Sequence, residues 1–541
     1  MKLNIVKSVI LILANLICLH QEAFSQKNDI SYGYSPENPI KVGKGKKGGP
    51  ANERIYLELL RDAHEDPVTA IRIGNCCPFP SKNGLLGVAM CDVYKIKYRN
   101  EKGKAMEVII YLTFYEYDKP EAPTYFTIAT QNIDMELQPI LDSVPDYSDI
   151  REYRIKSENV FEIPEYVYAM TNLEVLEIDS NSISVILPAI SNLRNLKKLK
   201  FSGNKIKRIP GDFIHLDSLE ELHLNKEMDW DDTFNKLSKL KNLKKLNLSE
   251  TGIKSLPEDI QKMSLLEEIN LKNNPELNLN DLFKQLSGVK NIKILRIGND
   301  TIKVIPQSIE LLKNLEELEI TSTRIKFLPV EMGELRKLRI LNLNANSEFI
   351  TIPESVKNLI QLEEIYFGSM KAQFKYTDVL TRLSNCKNLR KLMLSHSQGL
   401  IMLPAVIGKI KSLEYLNIAS CRDLKMLPKE MGQLTNLKFL EMGSNGKITT
   451  LPVELGKLQS LEILDISGHS GFDFKKEFPK FCHLKKLEIL IIDRGNQQIP
   501  ESVKECKQVK ILQLKSYNNK YTTDIEKERL KKLLPACEII Y

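Results

Sequence analysis

The chain has 541 residues, 42% hydrophobic and 27% charged, with 77 lysines and arginines against 70 acidic residues. That composition excludes a disordered chain and leaves length for one large or several ordinary domains. A formal net charge of +7 is too small an excess to imply a polyanionic partner such as nucleic acid.

Residues 1–25 read as a signal peptide. Lys2 and Lys7 lead into the apolar run "VILILANLICL" (9–19), and "AFS" (23–25) places small residues where a signal peptidase cuts. Cleavage there leaves Gln26 first and lowers the net charge to +6. The expected product is exported, to the periplasm or the cell exterior. A lipid-anchored form through Cys18 is disfavoured by the bulky Ile17 before it. No later apolar run approaches the ~20 residues a membrane-spanning helix requires.

Residues 26–140 read as a small α+β domain. "ERIYLELLRDA" (53–63) has helical spacing, and "CDVYKIKYRNEKGKAMEVIIYLTFYEYD" (91–118) holds two strand-like runs joined by "RNEKGK". "GKGKKG" (43–48) satisfies G-x-G-x-x-G, but only "IKV" precedes it as a strand, so a basic loop is expected there rather than a phosphate cradle. Cys76, Cys77 and Cys91 cluster in this segment and fit one disulfide or a redox thiol. Cys386, Cys421, Cys482, Cys506 and Cys537 are scattered as buried small apolar residues would be, and no C-x2-C pair marks a zinc site. The stretches "NPIKVGKGKKGGPANERIYL" and "GNCCPFPSKNGLLGVAMCDVYKIKY" resemble small secreted bacterial proteins of unknown role.

From residue 141 to 541 the chain repeats itself. The pattern L-x-x-L-x-L occurs fifteen times from Leu173 to Val509, at intervals of 22 to 27 residues. Degenerate copies flank it, "IREYRI" (150–155) and "LPACEI" (534–539). Leucines at alternate positions point to one side of a strand, and a single copy cannot bury them, so stacked coils are expected. Most intervals carry Leu-Pro and a short amphipathic turn, as in "LPKEMGQLTNLKFL" (427–440). Pro257, Pro306, Pro329, Pro353, Pro404, Pro428, Pro452 and Pro500 are expected just past each strand, where no ladder donor is needed. Longer intervals at 225–240, 272–288, 368–384 and 468–481 lack the regular Leu-Pro and predict longer outer helices.

These motifs resemble the leucine-rich repeat family, in its roughly 23-residue "LPxxIGxLxxL" class. The resemblance implies a solenoid with a curved parallel sheet on its concave side and short helices and turns on the convex side. It also implies a buried amide eight residues after the first leucine, where Asn181, Asn204, Asn274, Asn346 and Asn445 stand, with Thr251, Thr323 and Cys421 as substitutes. Proteins are the partners the family implies.

In such a stack, equivalent residues lie about 4.8 Å apart. The residue after the first leucine alternates in sign through thirteen copies, from Glu174 and Lys197 to Lys438 and Glu462, until Glu488 breaks the rule. That predicts a ladder of opposite charges along one rim, and a self-cancelling face argues against nucleic acid. One and two positions further on, the last copies turn apolar. Tyr366, Met393, Tyr415, Phe439, Ile463, Ile489, Ile491 and Ile511 form the candidate partner-binding strip.

The C-terminal "TDIEKERLKKLLPACEIIY" (523–541) predicts a capping helix. Thr523 and Glu526 form its capping box, and Ile525, Leu530, Leu533 and Leu534 its apolar face. The seven histidines fall in no H-E-x-x-H, and no G-x-S-x-G surrounds a serine. His223 and His396 are expected on the concave surface as solvated side chains. The expectation is a non-enzymatic, monomeric recognition protein without cofactor or metal, binding a protein or a surface polysaccharide. A structural or adhesive envelope protein is the alternative, and thiol redox chemistry a remote one.

Overall fold

The computed structural model describes residues 40–41, 57, 60–64, 66–85, 88–100, 102–113, 126–128, 149–156, 160–226, 228–469, 471–493, 497–515 and 524–541. The signal peptide, the "GKGKKG" loop, Thr523 of the capping box and the side chains of Cys76 and Cys77 lie outside the described residues. The chain divides into two compact units, one of residues 1–153 with 163–173, the other of 154–162 with 174–541.

The first unit contains β1 (Ile40–Lys41), β2 (Leu60–Arg61), β3 (Thr69–Leu85), β4 (Val88–Arg99), β5 (Ala105–Thr113) and β6 (Thr127–Ile128). Four of them form a sheet in the order β1-β5-β4-β3, antiparallel except for β1 on β5. The two runs expected in 91–118 are β4 and β5, whose connection turns on Gly103 at φ +72°. The helical spacing expected over 53–63 gives way at Leu60, which enters β2 and pairs with Ile128 of β6. Leu60 then packs with Leu57, Tyr94, Ile96, Ile110, Leu112 and Phe126 in a small core.

In the second unit, sixteen short strands run from Val175–Glu177 to Glu538–Ile540, each parallel to its chain neighbours. Leucines or isoleucines at the middle of the strands align across the ladder, as Leu199, Leu222 and Leu246 do, and each is buried. Their stacking makes the continuous core that a single coil lacks.

After each strand the chain must turn through a right angle without stranding its backbone groups. In most coils the residue seven past the first leucine adopts left-handed φ, as at Ser180, Asn273, Ala345 and Ser444. Its N–H donates to the next coil, for example Ala345 to the Gly368 carbonyl at 2.9 Å. The buried amide follows. Asn346 donates to the carbonyls of Ile320 (2.7 Å) and Leu343 (2.8 Å) and accepts from the Thr323 N–H (2.9 Å) and hydroxyl (2.6 Å). Asn204, Asn274 and Asn445 make the same two donations. Thr251 and Cys421 substitute with one donation each to a core carbonyl, whereas Thr323 gives its hydroxyl proton to Asn346 instead. His469 also takes this place, its Nδ1 2.8 Å from the Ile466 carbonyl.

The prolines are not just past the strands. Pro257 lies ten residues beyond Asn247, and with its equivalents it opens a five-residue 3-10 helix on the convex side, such as Glu258–Lys262. Its fixed φ of −63° suits that entry, and the N–H it lacks is one the helix leaves unpaired.

The intervals without regular Leu-Pro carry α1 (Trp230–Leu237), α2 (Leu279–Ser287), α3 (Tyr376–Leu383) and α4 (Phe474–Cys482), and the C-terminal cap carries α5 (Asp524–Leu533). Four of the five share an anchor. A cation on the helix reaches back to the carbonyl just before the proline of the preceding coil. Lys236 reaches Ile209 (2.8 Å), Lys480 reaches Leu451 (2.6 Å), Arg529 reaches Ile499 (2.5 Å), and Arg382 reaches Ile352. A carboxylate one turn earlier holds each cation: Asp232, Glu477, Glu526 and Asp378 respectively. Leu530 in α5 and Leu534 just past its end are buried as expected, but Leu533 is only half-buried and Ile525 is 80% exposed. Glu526 points inward instead, because Arg529 and Gln498 satisfy it.

Candidate functional site

Inside each strand the leucines fill the core, so the intervening residues must face outward on the concave side. They form parallel rows, one residue per coil, whose neighbours are fixed by the register.

The rim row is the alternating one. Lys197 meets Glu174 at 2.7 Å, Lys244 meets Glu220 at 3.3 Å, Lys293 meets Glu267 at 2.9 Å, Arg339 meets Glu363 at 2.9 Å and Lys438 meets Glu414 at 2.7 Å. Exposed pairs of this kind contribute about 0–1 kcal/mol each, so their effect is on register more than on stability.

The first half of the face is ionic across the next rows as well. Glu177 receives Arg154 (2.9 Å), Lys156 (3.0 Å) and Lys200 (3.1 Å). Burial pushes its carboxyl up, but the hydrogen bonds from Lys156 and Lys200 and the Lys200 charge outweigh that and hold it at about 2. Arg296 bridges Glu268, Glu317 (3.0 Å) and Glu319 (3.3 Å). His223 is not freely solvated: its Nε2 is 2.7 Å from Glu221 and its Nδ1 3.1 Å from Asn247. Burial pulls its pKa down against the opposing pull of Glu221. His396 is off the ladder altogether, in the left-handed turn position at φ +58°.

The second half changes character. Register aligns Tyr415, Phe439, Ile463, Ile489 and Ile511 as one uninterrupted row over five strands. Tyr366 and Met393 are neighbours in the adjoining row, and Ile491 is in that row too. Between Met393 and Ile491, however, stand Asn417, Glu441 and Asp465. The eight residues therefore make one row of five with three flanking members, not a single strip. All eight are half-buried.

Tyr415 and Phe439 rings lie 5.9 Å apart, and Lys391 Nζ sits 5.2 Å from the ring centres of both Tyr366 and Tyr415. The Tyr415 hydroxyl donates to Glu441 at 2.5 Å, and Asn417 donates to the other oxygen of the same carboxylate. Burial first, then that bond, pushes the Tyr415 hydroxyl up to about 12, so it stays a donor at any ordinary pH. Lys391, Asn417 and Glu441 were not singled out from sequence. The signal that finds them is positional, since Glu441 stands two residues after Phe439 on the same outward face.

Cysteine placement also departs from expectation. Cys482, at the end of α4, and Cys506, just past the next 3-10 helix, form a disulfide between adjacent coils, with Cα atoms 4.3 Å apart. Cys386 and Cys421 are buried thiols, each pushed up to about 11 by burial. Cys76 and Cys91 are backbone partners across β3 and β4, and Cys91 is buried. Among the described residues no group of three His, Cys, Asp or Glu side chains converges as a metal site. Nor is any helix among them long and apolar enough to cross a membrane.

Known proteins share this architecture. A family model described as a leucine-rich repeat region matches residues 276–399 and 429–534, and a leucine rich repeat model matches 171–227. A third, for R13L1/DRL21 leucine-rich repeats, matches 367–445. Among solved structures, an LRR protein of Leptospira interrogans is 27% identical, covers 73% of this chain and 97% of its own, and superposes with a TM-score of 0.53. An internalin of Listeria monocytogenes is 22% identical, covering 65% and 88%, with a TM-score of 0.42. A volume-regulated anion channel subunit of Rattus norvegicus is 32% identical over 88 residues, and the chain spans only 10% of its length.

Proposed function

We propose that this leucine-rich repeat protein is an exported, non-enzymatic recognition protein that holds another protein on the second half of its concave face. The observation that carries the reading is the row from Tyr415 to Ile511, five apolar side chains in register on five successive strands. Contiguous apolar surface on a rigid sheet, with charges at its rim, is the anatomy of a protein-binding patch. The ion-paired first half acts as scaffold, since its charges already satisfy one another.

Export is supported by the N-terminal "VILILANLICL…AFS" segment and by the Cys482–Cys506 disulfide, which belongs to an oxidising compartment. Phe439→Glu with Ile463→Glu tests the reading. Both positions are only half-buried, so the variant is expected to keep its melting temperature and to lose the proteins that the parent retains when native envelope extract passes over it. A folded double variant that retains the same proteins places the binding surface elsewhere. A parent that retains none favours a structural or adhesive role.

A further inference from the structure

The carboxylates of the concave face are not all treated alike. On the first half, Glu177, Glu221, Glu268, Glu317 and Glu319 each have a cation within 4 Å. Glu441, beside the apolar row, has none among the described residues. Its two oxygens are instead held by the uncharged Tyr415 hydroxyl and Asn417 amide, which orient the carboxylate without neutralising it. The residues two further along these strands, Ala419, Gly443 and Ser467, are small.

The opposite edge of the apolar row repeats the pattern. Lys438 turns to Glu414 at 2.7 Å and Lys510 to Glu488 at 2.6 Å. That leaves Glu462 without a cation within 4 Å among the described residues, and with a like-charged rung, Glu488, next to it. Lys438 still feels the Glu462 charge, but from one side only, whereas Glu316, which also lacks a close partner, has a cation that feels its charge on both neighbouring rungs, Lys293 and Arg339. The one break in the alternation of the rim therefore falls beside Ile463 and Ile489, two half-buried members of the apolar row. Like charges on adjacent rungs repel, and the natural remedy is a cation from outside the chain.

Resting on the reading above, we propose that the occupant of the apolar row is a basic protein segment. Its apolar side chains lie along Tyr415, Phe439, Ile463, Ile489 and Ile511, and its lysines or arginines bracket them, one against Glu441 and one between Glu462 and Glu488. The isolated carboxylates select the sign of the partner, and the apolar row supplies contact area.

The probe is a random peptide library displayed on phage, panned against the intact folded protein. Retained peptides are expected to combine large apolar residues with at least two lysines or arginines. The paired variant Glu441→Gln with Glu462→Gln should lower their affinity by about tenfold or more, as loss of close interfacial charge contacts does. Glu316→Gln, on the same rim, should leave affinity unchanged, and so should the melting temperature of all variants. Retention of acidic or uncharged peptides, retention of none, or unchanged binding by the paired variant overturns the proposal. If binding is lost in Phe439→Glu, Ile463→Glu but kept in the paired glutamine variant, only the charge assignment fails. If it survives both, the concave reading fails with it.

Discussion

Replacing Asn346 with alanine probes the element that lets one coil follow another. The side chain is fully buried and makes four hydrogen bonds, two as donor to Ile320 and Leu343 and two as acceptor from Thr323. Each is worth about 1 kcal/mol net, so the expected loss is about 4 kcal/mol. Asn346→Thr should lose about half of that, because Thr251 in the equivalent place still donates to the Leu248 carbonyl at 2.8 Å. Asn445→Ala should also cost less, since among the described residues nothing donates to the Asn445 side-chain oxygen. Urea denaturation followed by circular dichroism gives the ranking, and amide hydrogen exchange localises it to the coils on either side. An alanine variant within about 1 kcal/mol of the parent, or a threonine variant as damaged as alanine, would refute the account.

Cys506→Ser should lower stability by about 3.5 kcal/mol under oxidising conditions, the chain-entropy value for a closed loop of this size, and by much less in the presence of reductant. A non-reducing peptide map settles the premise: free thiols at both Cys482 and Cys506 in oxidised native protein would remove it. His469→Asn should flatten the acid limb of the stability curve. Burial depresses the His469 pKa below its ordinary 6.5, and Nε2 has no partner among the described residues, so the unfolded chain takes up the proton first and the parent loses stability as pH falls below 6.5. Asparagine already fills this place in sister coils and does not titrate. Urea midpoints at pH 7.5 and 5.5 should therefore converge in the variant, and an unchanged gap would count against the buried imidazole as its source.

The repeat was legible because its cause is local and periodic. Leucines two apart on a strand, once in every coil, force a stack, and a stack turns distant residues such as Glu363 and Arg339 into neighbours. The four outer helices followed from the same spacing, and the buried amides from the family resemblance. The missed features depend on how far a side chain reaches. Nothing in the spacing says that Arg382 crosses to the Ile352 carbonyl, or that Cys482 and Cys506, one coil apart, come close enough to join. Ile525 departs for a related reason: an apolar residue on a helix is expected inward, while the better-anchored Glu526 takes the buried side. β3 escaped notice because residues 69–85 contain glycines, prolines and cysteines without an apolar alternation.

The cation anchors set a rule of grammar for the array. A coil bearing α1, α3, α4 or α5 spends its lysine or arginine on a carbonyl that only a proline-bearing predecessor presents in that place, so the two coils form one unit of exchange. Shortening or lengthening the solenoid should succeed when the cut precedes the proline-bearing member and removes or adds the pair. A cut between the two would strand a buried charge: Glu477 is fully buried, and two of its three contacts, Thr450 and Leu451, come from the partner coil.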